Sequence, residues 1–432
     1  QREDDLLKGT AWGNLSDACM ATGEFEEGLT FIDRALTYLD ETRHTTEYIE
    51  NLVRRGVFLY MLNRLDKAEE MFQDALTLGA GSTEEARVFN ALANAHYQMA
   101  VTNTLNAHPR IGLKHAKLCL ERAKEGNHPH RQLTGYSAIA IAQYYLGEYE
   151  EALVAADYGF EIAERIHSWR MLGYLHAYRA MIELSKGDIS VAFEHADQTI
   201  QIGQRFAYQD NIALGQRITG DIYYLLQAYE AAQEYYSAGY KTAPEHFTGF
   251  DNLFRLGFVL AREGEVAKGQ EIIKDSLEKI NMASMATGEV TAMLAWEAIA
   301  INEDDLERAM KLNTKVRKIA DSDDWISLSL CNQILSGEIA LKIGNIAQAE
   351  EYFQLAAQEA AEISNLWLEL TALCELEKTL QTTGQENEEP RKRVTQILDE
   401  IQENITHKHL LPYYTVFRDH ILDADAAPVM HF

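Results

Sequence analysis

The chain has 432 residues, of which 47% are hydrophobic, and its 39 basic and 67 acidic side chains give a formal net charge of −28. Because such a surface repels phosphate backbones and anionic lipid headgroups, we expect neither nucleic acid nor a membrane as a partner. The sequence has no signal peptide and no apolar run of 18 residues, which favours a cytoplasmic protein.

The four cysteines are scattered along the chain, without the spacing of a disulfide framework or of a metal-binding pair: Cys19, Cys119, Cys331 and Cys374. This pattern favours a reducing compartment. The sequence begins with Gln1 rather than Met, so we expect it to be a fragment of a longer polypeptide.

A small residue returns along almost the whole chain at gaps of 40, 44, 40, 40, 40, 37, 40 and 40 residues. The nine positions are Gly28, Ala68, Gly112, Ala152, Ala192, Ala232, Gly269, Ala309 and Ala349. Two antiparallel helices can cross closely only where side chains are small, and a hairpin of helices must stack on its neighbours to bury its apolar face. The spacing therefore predicts a repeat protein built from helical hairpins.

The same frame surrounds five of the nine small residues. Gly23-Glu24-Phe25 precedes Gly28, and Gly147-Glu148-Tyr149 precedes Ala152. It recurs as Gly187-Asp188-Ile189, Gly264-Glu265-Val266 and Gly344-Asn345-Ile346. These residues resemble the tetratricopeptide repeat, a helix-turn-helix unit with a Gly-x-Tyr-x-x-Ala signature. The glycine suits a left-handed helix end before each second helix.

We therefore predict an all-α, right-handed superhelical solenoid of about ten antiparallel hairpins over residues 1–405, nine clear repeats and a degenerate tenth. The third repeat carries about seven extra residues, Met99 to Pro109, which we expect to form a long loop and a second contact site. Residues 406–432 are predicted to form a capping helix, His409 to Leu422, and a tail. All six prolines fall at expected boundaries or turns: Pro109, Pro129, Pro244, Pro390, Pro412 and Pro428.

Motifs for catalysis are missing from the sequence, including a phosphate-binding loop, a zinc helix and a nucleophile elbow. We therefore expect no enzymatic activity and no cofactor. Several histidines cluster around the third repeat: His96, His108, His115, His128 and His130. Within this cluster, His128 and His130 could offer two imidazoles to a metal, but two imidazoles without a thiolate or carboxylate ligand rarely hold one. We therefore interpret these as loop histidines and expect no metal site.

The binding surface is expected in the groove lined by the first helix of each repeat. Tyr60, Tyr97, Tyr144 and Tyr224 occupy equivalent places near the ends of those helices, and tyrosine is favoured at binding surfaces. The other polar candidates on this face are Arg54, Asn90, Asn94, Tyr178, Arg217, Asp221, Arg255 and Arg262.

Two interpretations of these residues stay open. The arginines either clamp the carboxylates of a peptide or pair with the protein's own acids, as Arg217 and Asp221 would at helical spacing. The carboxylate clamp of chaperone-binding tetratricopeptide domains needs Lys and Asn, whereas Gly13, Asp17 and Arg54 stand at the corresponding places. A chaperone adaptor is therefore disfavoured.

The period near 40, longer than the usual 34 or so residues, resembles the sensor arms of bacterial STAND-type signalling ATPases. That resemblance implies a non-catalytic scaffold or sensor that binds a protein or peptide and regulates an attached effector domain. The alternative is a receptor for a small ligand or peptide pheromone that controls an effector or a DNA-binding domain. Residues 1 to 40 do not resemble such a DNA-binding domain.

Overall fold

A computed structural model describes residues 2–22, 24–62, 64–80, 86–282, 286–320, 325–384 and 388–423. The described residues form 21 α-helices and no strand. The first ten are α1 (Arg2–Thr22), α2 (Phe25–Tyr38), α3 (Thr45–Met61), α4 (Leu65–Gly79), α5 (Ala86–Leu105), α6 (Pro109–Glu125), α7 (Pro129–Tyr145), α8 (Tyr149–Arg165), α9 (Trp169–Ser185) and α10 (Ile189–Phe206). The remainder are α11 (Gln209–Leu225), α12 (Tyr229–Thr242), α13 (Phe247–Arg262), α14 (Val266–Met282), α15 (Ala286–Asn302), α16 (Leu306–Ala320), α17 (Ile326–Lys342), α18 (Ile346–Glu362), α19 (Leu366–Thr382), α20 (Glu389–Glu403) and α21 (Leu411–Leu422).

Successive helices pack as antiparallel hairpins, α1 with α2 through α19 with α20, and the hairpins stack into a superhelical solenoid. The predicted all-α fold is confirmed. All nine repeated small residues are buried. At Gly269 on α14, an added Cβ would lie 2.4 Å from the carbonyl oxygen of Gly257 on α13. The two backbones approach this closely because neither position carries a side chain.

The turns within the hairpins share one geometry. Gly147, Gly187, Gly264 and Gly344 have φ between 72° and 98°, the left-handed conformation expected at these helix ends. After Gly147, the N–H of Glu148 donates to the carbonyl of Gln143 at 2.9 Å, and this bond recurs in the other turns. Gly23 lies outside the described residues.

The prolines lie where the sequence places helix boundaries. Pro109, Pro129, Pro390 and Pro412 occupy the first or second position of α6, α7, α20 and α21, where a missing N–H removes no helical hydrogen bond. Pro244 lies in the turn between α12 and α13. Pro428 and the predicted tail, from residue 424 onward, are outside the described residues.

The expected long loop in the third repeat was wrong. Helix α5 extends over 20 residues to Leu105, so that the connection to α6 is only residues 106–108. The extra residues lengthen the first helix because Met99, Ala100 and Thr104 are buried on it. Burial of this helical face stabilises the helix more than the polar residues between them favour a loop. Met99 to Pro109 is therefore no flexible contact loop.

The histidines of the third repeat were also not all loop residues. His96 on α5 and His115 on α6 face each other with their Nδ1 atoms 3.0 Å apart. His176 on α9 and His195 on α10 form the same arrangement at 2.7 Å. Burial is the largest effect on all four imidazoles, and it lowers the pKa of His96, His176 and His195 to about 4. Each pair is therefore a neutral hydrogen-bonded contact inside its hairpin.

The C-terminal hairpins contact helices from the middle of the chain. The Trp367 indole Nε1 donates to the Leu184 carbonyl at 2.8 Å, and the Asn365 side-chain amide donates to the Tyr149 hydroxyl at 3.0 Å. The backbone N–H of Thr406 donates to the hydroxyl of Ser190 at 2.9 Å. We call these contacts the closure interface. They join regions about 180 to 220 residues apart in sequence and close the superhelix around its axis.

The last described helix, α21, packs through Tyr414, Phe417 and Ile421, which are buried. The ring of Tyr413 at its start contacts Tyr223 of α11 with ring centres 5.4 Å apart. Helix α21 thus takes part in the closure interface as well. Among the described residues, no helix is both long enough and apolar enough to cross a membrane.

Candidate functional site

The closed solenoid surrounds a central cavity of about 330 Å³. Its walls come from the first helices of successive hairpins, the odd-numbered helices from α3 to α19. Ile280 of α14, a second helix, also lines the cavity. First helices line the inner side because stacked hairpins rotate slightly relative to one another. The closure interface supplies the final wall, since Ser327, Asn365 and Leu368 face the same space as residues of α5 and α9.

Tyrosine is the most frequent residue in the cavity wall. The six tyrosines are Tyr60, Tyr97, Tyr144, Tyr145, Tyr174 and Tyr178. Burial raises the pKa of Tyr97 and Tyr145 to about 12 and also raises the pKa of Tyr144 and Tyr178. At neutral pH these hydroxyls stay protonated. Each combines an apolar ring with a group that donates and accepts hydrogen bonds.

The rest of the wall is mainly apolar. Aliphatic, thioether and aromatic side chains fill the space between the tyrosines: Val101, Leu105, Ile141, Met171, Met181, Leu214, Phe247, Leu328 and Leu368. Methionine adapts its shape to irregular ligands because it is unbranched. The wall is therefore suited to apolar side chains, with hydroxyls to fix their orientation.

A four-residue ionic network crosses one side of the cavity. Arg217 Nη1 donates to Asp221 Oδ2 at 2.8 Å, and Arg255 Nε donates to Asp221 Oδ1 at 2.9 Å. Asp251 Oδ1 accepts from Arg255 Nη1 at 2.7 Å, while its Oδ2 lies 3.2 Å from Arg217 Nε. The Tyr236 hydroxyl adds a third donor to Asp221 at 2.7 Å.

This network is formally neutral, because two guanidinium groups face two carboxylates. Burial by itself would lower the pKa of Arg255, but the charges of Asp221 and Asp251 outweigh burial and raise it. Of the two interpretations left open by the sequence, the pairing of Arg217 and Arg255 with the protein's own acids is what the structure contains. The charges of these four side chains are therefore balanced within the cavity wall.

A second buried carboxylate lies next to the cavity. Asp210 Oδ2 accepts from the Tyr174 hydroxyl at 2.5 Å and from Arg170 Nη2 at 2.9 Å. Burial raises the pKa of Asp210, but the Tyr174 bond and the Arg170 charge together outweigh it and lower the pKa below its usual value. The bond holds the Tyr174 ring against the cavity and orients its hydroxyl toward α11.

The predicted site residues fall into three places. Tyr60, Tyr97, Tyr144, Tyr178, Arg217 and Arg255 line the cavity. Arg54, Asn90 and Asn94 line a separate cleft of about 450 Å³ beside it. In that cleft Arg54 donates to both carboxylate oxygens of Asp17, at 3.1 and 3.3 Å, so two of the three residues at the clamp positions bind each other.

Tyr224 and Arg262 lie outside both spaces. Tyr224 is 4% exposed and packs against Tyr229 and Phe258, beside a gap of only about 10 Å³. Arg262 interacts with Tyr229 and lies near Tyr224. The repeat frame places Tyr224 in register with Tyr144, but at this turn of the superhelix the next hairpin covers it. A role for the whole predicted set in binding remains a prediction.

Several wall residues escaped the sequence analysis. Tyr174 was detectable, since it precedes Tyr178 by one helical turn on the same face. Asp251 was detectable as the second acid within reach of Arg217 and Arg255. Ser327, Asn365 and Leu368 carried no sequence signal, because only the closure interface brings them to the cavity.

Metal-ligating side chains converge at one point of the described chain, where Cys19, Glu24 and Glu27 lie close together at the turn between α1 and α2. Exposed acidic groups of this kind are common on protein surfaces, and none of these three residues lines the cavity. The cavity wall itself contains paired carboxylates, hydroxyls and amides.

No protein-family model and no curated protein sequence matches the chain. Solved structures do match it in fold. A Rap protein complexed with Competence and Sporulation Factor has a TM-score of 0.59 at 13% identity, covering 94% of this chain and 100% of that one. NprR in complex with its cognate peptide NprX has a TM-score of 0.60 at 14% identity, covering 81% and 97%.

The apo form of RapI gives a TM-score of 0.51 at 11% identity and covers 82% of this chain and 98% of its own. At these identities the likeness concerns the backbone arrangement. Together with the hairpin geometry and the nine buried small residues, it shows that this chain has the fold of a tetratricopeptide-type helical solenoid.

Proposed function

We propose that this protein is a non-catalytic receptor that holds a short peptide in its central cavity and serves as a sensor for an effector. The observation that carries the proposal is the cavity itself, closed by contacts between the C-terminal hairpins and α8–α10 and lined by six tyrosines. Its volume of about 330 Å³ falls at the lower end of the range for small-ligand sites, about 300 to 1,000 Å³.

Closure favours a compact ligand over a long protein segment. An open groove admits a chain that continues beyond both ends of the site, whereas the closure interface between Trp367 and Leu184 blocks lateral entry. A peptide of a few residues, with apolar side chains against Met171, Met181 and Leu214, matches this enclosure. The hydroxyls of Tyr60, Tyr97 and Tyr145 are candidates to pair with its backbone amides, whereas the Tyr174 hydroxyl is held by Asp210.

The charges of the site agree with a ligand of low net charge. The carboxylates of Asp221 and Asp251 are already neutralised by Arg217 and Arg255, so a highly charged ligand would bring an unbalanced charge into a buried place. Pairing of these acids is also the reason for proposing a non-catalytic protein, since neither serves as a free base.

The fold comparisons add support of a general kind. NprR was solved with its cognate peptide, and the Rap protein was solved with Competence and Sporulation Factor. Of the two functions considered from the sequence, these neighbours favour the peptide receptor. A regulatory arm attached to a larger signalling protein, as in STAND-type ATPases, is compatible with this role and stays a finer proposal.

The test is affinity selection with a pooled library of synthetic tripeptides, read by mass spectrometry. We expect the protein to retain a small subset of peptides rich in apolar residues. Thr291→Phe on α15 fills the cavity, because Thr291 lines it, and this substitution should abolish retention of the subset.

The matched control is Thr314→Phe on α16. Both hydroxyls donate to the carbonyl four residues earlier, at 2.7 Å for Thr291 and 2.8 Å for Thr314, but Thr314 is exposed on the outside. A third variant, Tyr178→Phe, removes one hydroxyl and should weaken binding roughly fivefold. Equal retention by Thr291→Phe and the control, with both folded by circular dichroism, would refute the cavity as the site.

A further inference from the structure

Helix α6 forms a basic surface on the outside of an acidic protein. It carries five Lys and Arg residues and two glutamates. The second helices of the hairpins on either side are acidic. Helix α4 carries four acidic residues and one lysine, and helix α8 carries five acidic residues and one arginine. The chain as a whole has 39 basic and 67 acidic residues. The charge of α6 is therefore opposite to that of its surroundings.

The basic side chains line a cleft. Arg110, Lys114 and Lys117 follow one face of α6 at spacings of four and three residues, so they extend along about 10 Å of the helix. They face a cleft of about 570 Å³ between α6 and the turn after α7. All three are exposed. Within the described part of the chain, Lys114 and Lys117 form no ion pair.

The cleft is not lined by charge alone. Leu113, Leu118 and the buried Leu146 supply apolar contacts, and Glu121 and Glu148 add two carboxylates. Ile111 on the same helix is 45% exposed beside these residues. Apolar contacts with a mixed charged rim are typical of protein interfaces. The two glutamates disfavour a nucleic acid, because every unit of its backbone carries a charge, whereas a helix can place neutral or basic side chains opposite Glu121 and Glu148.

We propose that this cleft, which we call the α6 cleft, docks an acidic amphipathic helix of a partner protein. Acids spaced by four and three residues on that helix pair with Arg110, Lys114 and Lys117, and an apolar side chain between them packs on Leu113 and Leu118. This is helix-in-groove recognition with complementary charge. The α6 cleft lies outside the central cavity, so the proposal does not rest on the peptide receptor.

A second basic helix serves as a comparison for α6, in which Arg122 likewise pairs with Glu125 at 2.8 Å. Helix α16 carries five basic residues and one glutamate, but Lys315 pairs with Glu289 at 2.7 Å and Arg308 with Asp305 at 3.3 Å. Lys311 and Lys318 of α16 are exposed and have no such partner in the described ranges. They provide a control, because they are two lysines unpaired within the described residues, on another helix with a net positive charge.

The experiment uses a fluorescein-labelled 16-residue peptide with glutamates at the matching spacing and leucines between them, together with a scrambled peptide of the same composition. Binding to the full chain is followed by fluorescence anisotropy. The double variant Lys114→Glu/Lys117→Glu should weaken binding of the ordered peptide at least tenfold. The control Lys311→Glu/Lys318→Glu changes the net charge equally and should stay within twofold of the wild type.

Three results would overturn the proposal: equal losses in the two double variants, equal binding of the ordered and scrambled peptides, or equally effective competition by a single-stranded 16-mer oligonucleotide. The first two indicate nonspecific electrostatics, and the third a general polyanion site. Thr291→Phe should leave binding at the α6 cleft unchanged, and the α6 variants should leave retention in the cavity unchanged. Failure of one proposal is therefore separable from failure of the other.

Discussion

Replacing Glu297 by glutamine removes a carboxyl group that the fold keeps protonated. Glu297 lies on α15 and is 0% exposed. Its Oε1 accepts from the Asn313 side-chain amide at 2.8 Å, whereas its Oε2 has no hydrogen-bond partner in the described part of the chain. Burial, reinforced by the charge of Glu338 and opposed by the Asn313 bond, raises the pKa of Glu297 to about 8.

The sign of the pH effect follows from this shift. The unfolded chain releases the proton near pH 4.5 and the folded chain near pH 8, so the folded state loses stability as the pH rises between those values. From pH 5.5 to 7.5 the loss approaches about 3 kcal/mol, since each pH unit contributes about 1.4 kcal/mol. The Glu297→Gln variant has no proton to release at this position, so this loss of stability does not occur in it.

Hydrogen exchange read by mass spectrometry on peptides from α15 to α17 measures the effect locally, which suits a repeat array that need not unfold as one unit. The protection ratio between Glu297→Gln and the wild type should grow about 100-fold from pH 5.5 to 7.5. Comparing two pH values cancels any constant difference in packing or in hydrogen bonds made by the amide.

Glu307→Gln is the control, since Glu307 is exposed on α16, and its ratio should not change with pH. If the protection ratio for Glu297→Gln is equally constant, the Glu297 carboxyl group ionises freely in the folded protein. Its burial then does not govern its charge.

Further predictions concern the repeat frame, the ionic network, the histidine pairs and the closure interface. Ala192→Arg, at a position with 0% exposure, should cost several kcal/mol, about 3 to 5, because it buries a charge at a helix crossing; wild-type-like melting would show that the frame is misplaced. Asp221→Ala removes the shared acceptor of both buried arginines and should lower stability by about 3 to 5 kcal/mol in urea unfolding, whereas a loss below 1 kcal/mol would mean the arginines find other partners. The neutral pair His176–His195 has pKa values lowered from 6.5 to about 4, so stability is lost as the pH falls through that window, by about 1 to 2 kcal/mol after allowance for partial exposure; a double glutamine variant should abolish this part of the acid melting curve. Trp367→Phe deletes the indole donor to the Leu184 carbonyl and should cost about 1 kcal/mol, seen as faster hydrogen exchange at the end of α9, with unchanged exchange there counting against the closure.

Some features of the site were readable in the sequence. Tyr144 and Tyr178 lie on first helices, and the repeat frame fixes which face of such a helix points inward, so their place in the cavity follows from spacing alone. The pairing of Arg217 with Asp221 follows likewise, since residues four apart share a helical face. The exceptions are Tyr224 and Arg262, which lie outside both spaces, and Arg54, Asn90 and Asn94, which line the separate cleft.

The sequence by itself determined the hairpins: where the helices begin and end, apart from the end of α5, where two helices cross, and that the glycine turns are left-handed. These properties depend on residues within one repeat, and close crossing at Ala192 or Gly269 is enforced locally by side-chain size. The closure was decided only by the tertiary structure. Small rotations between hairpins accumulate until Asn365 and Trp367 meet Tyr149 and Leu184, and no local pattern encodes a sum over six repeats. The cavity exists because of that sum.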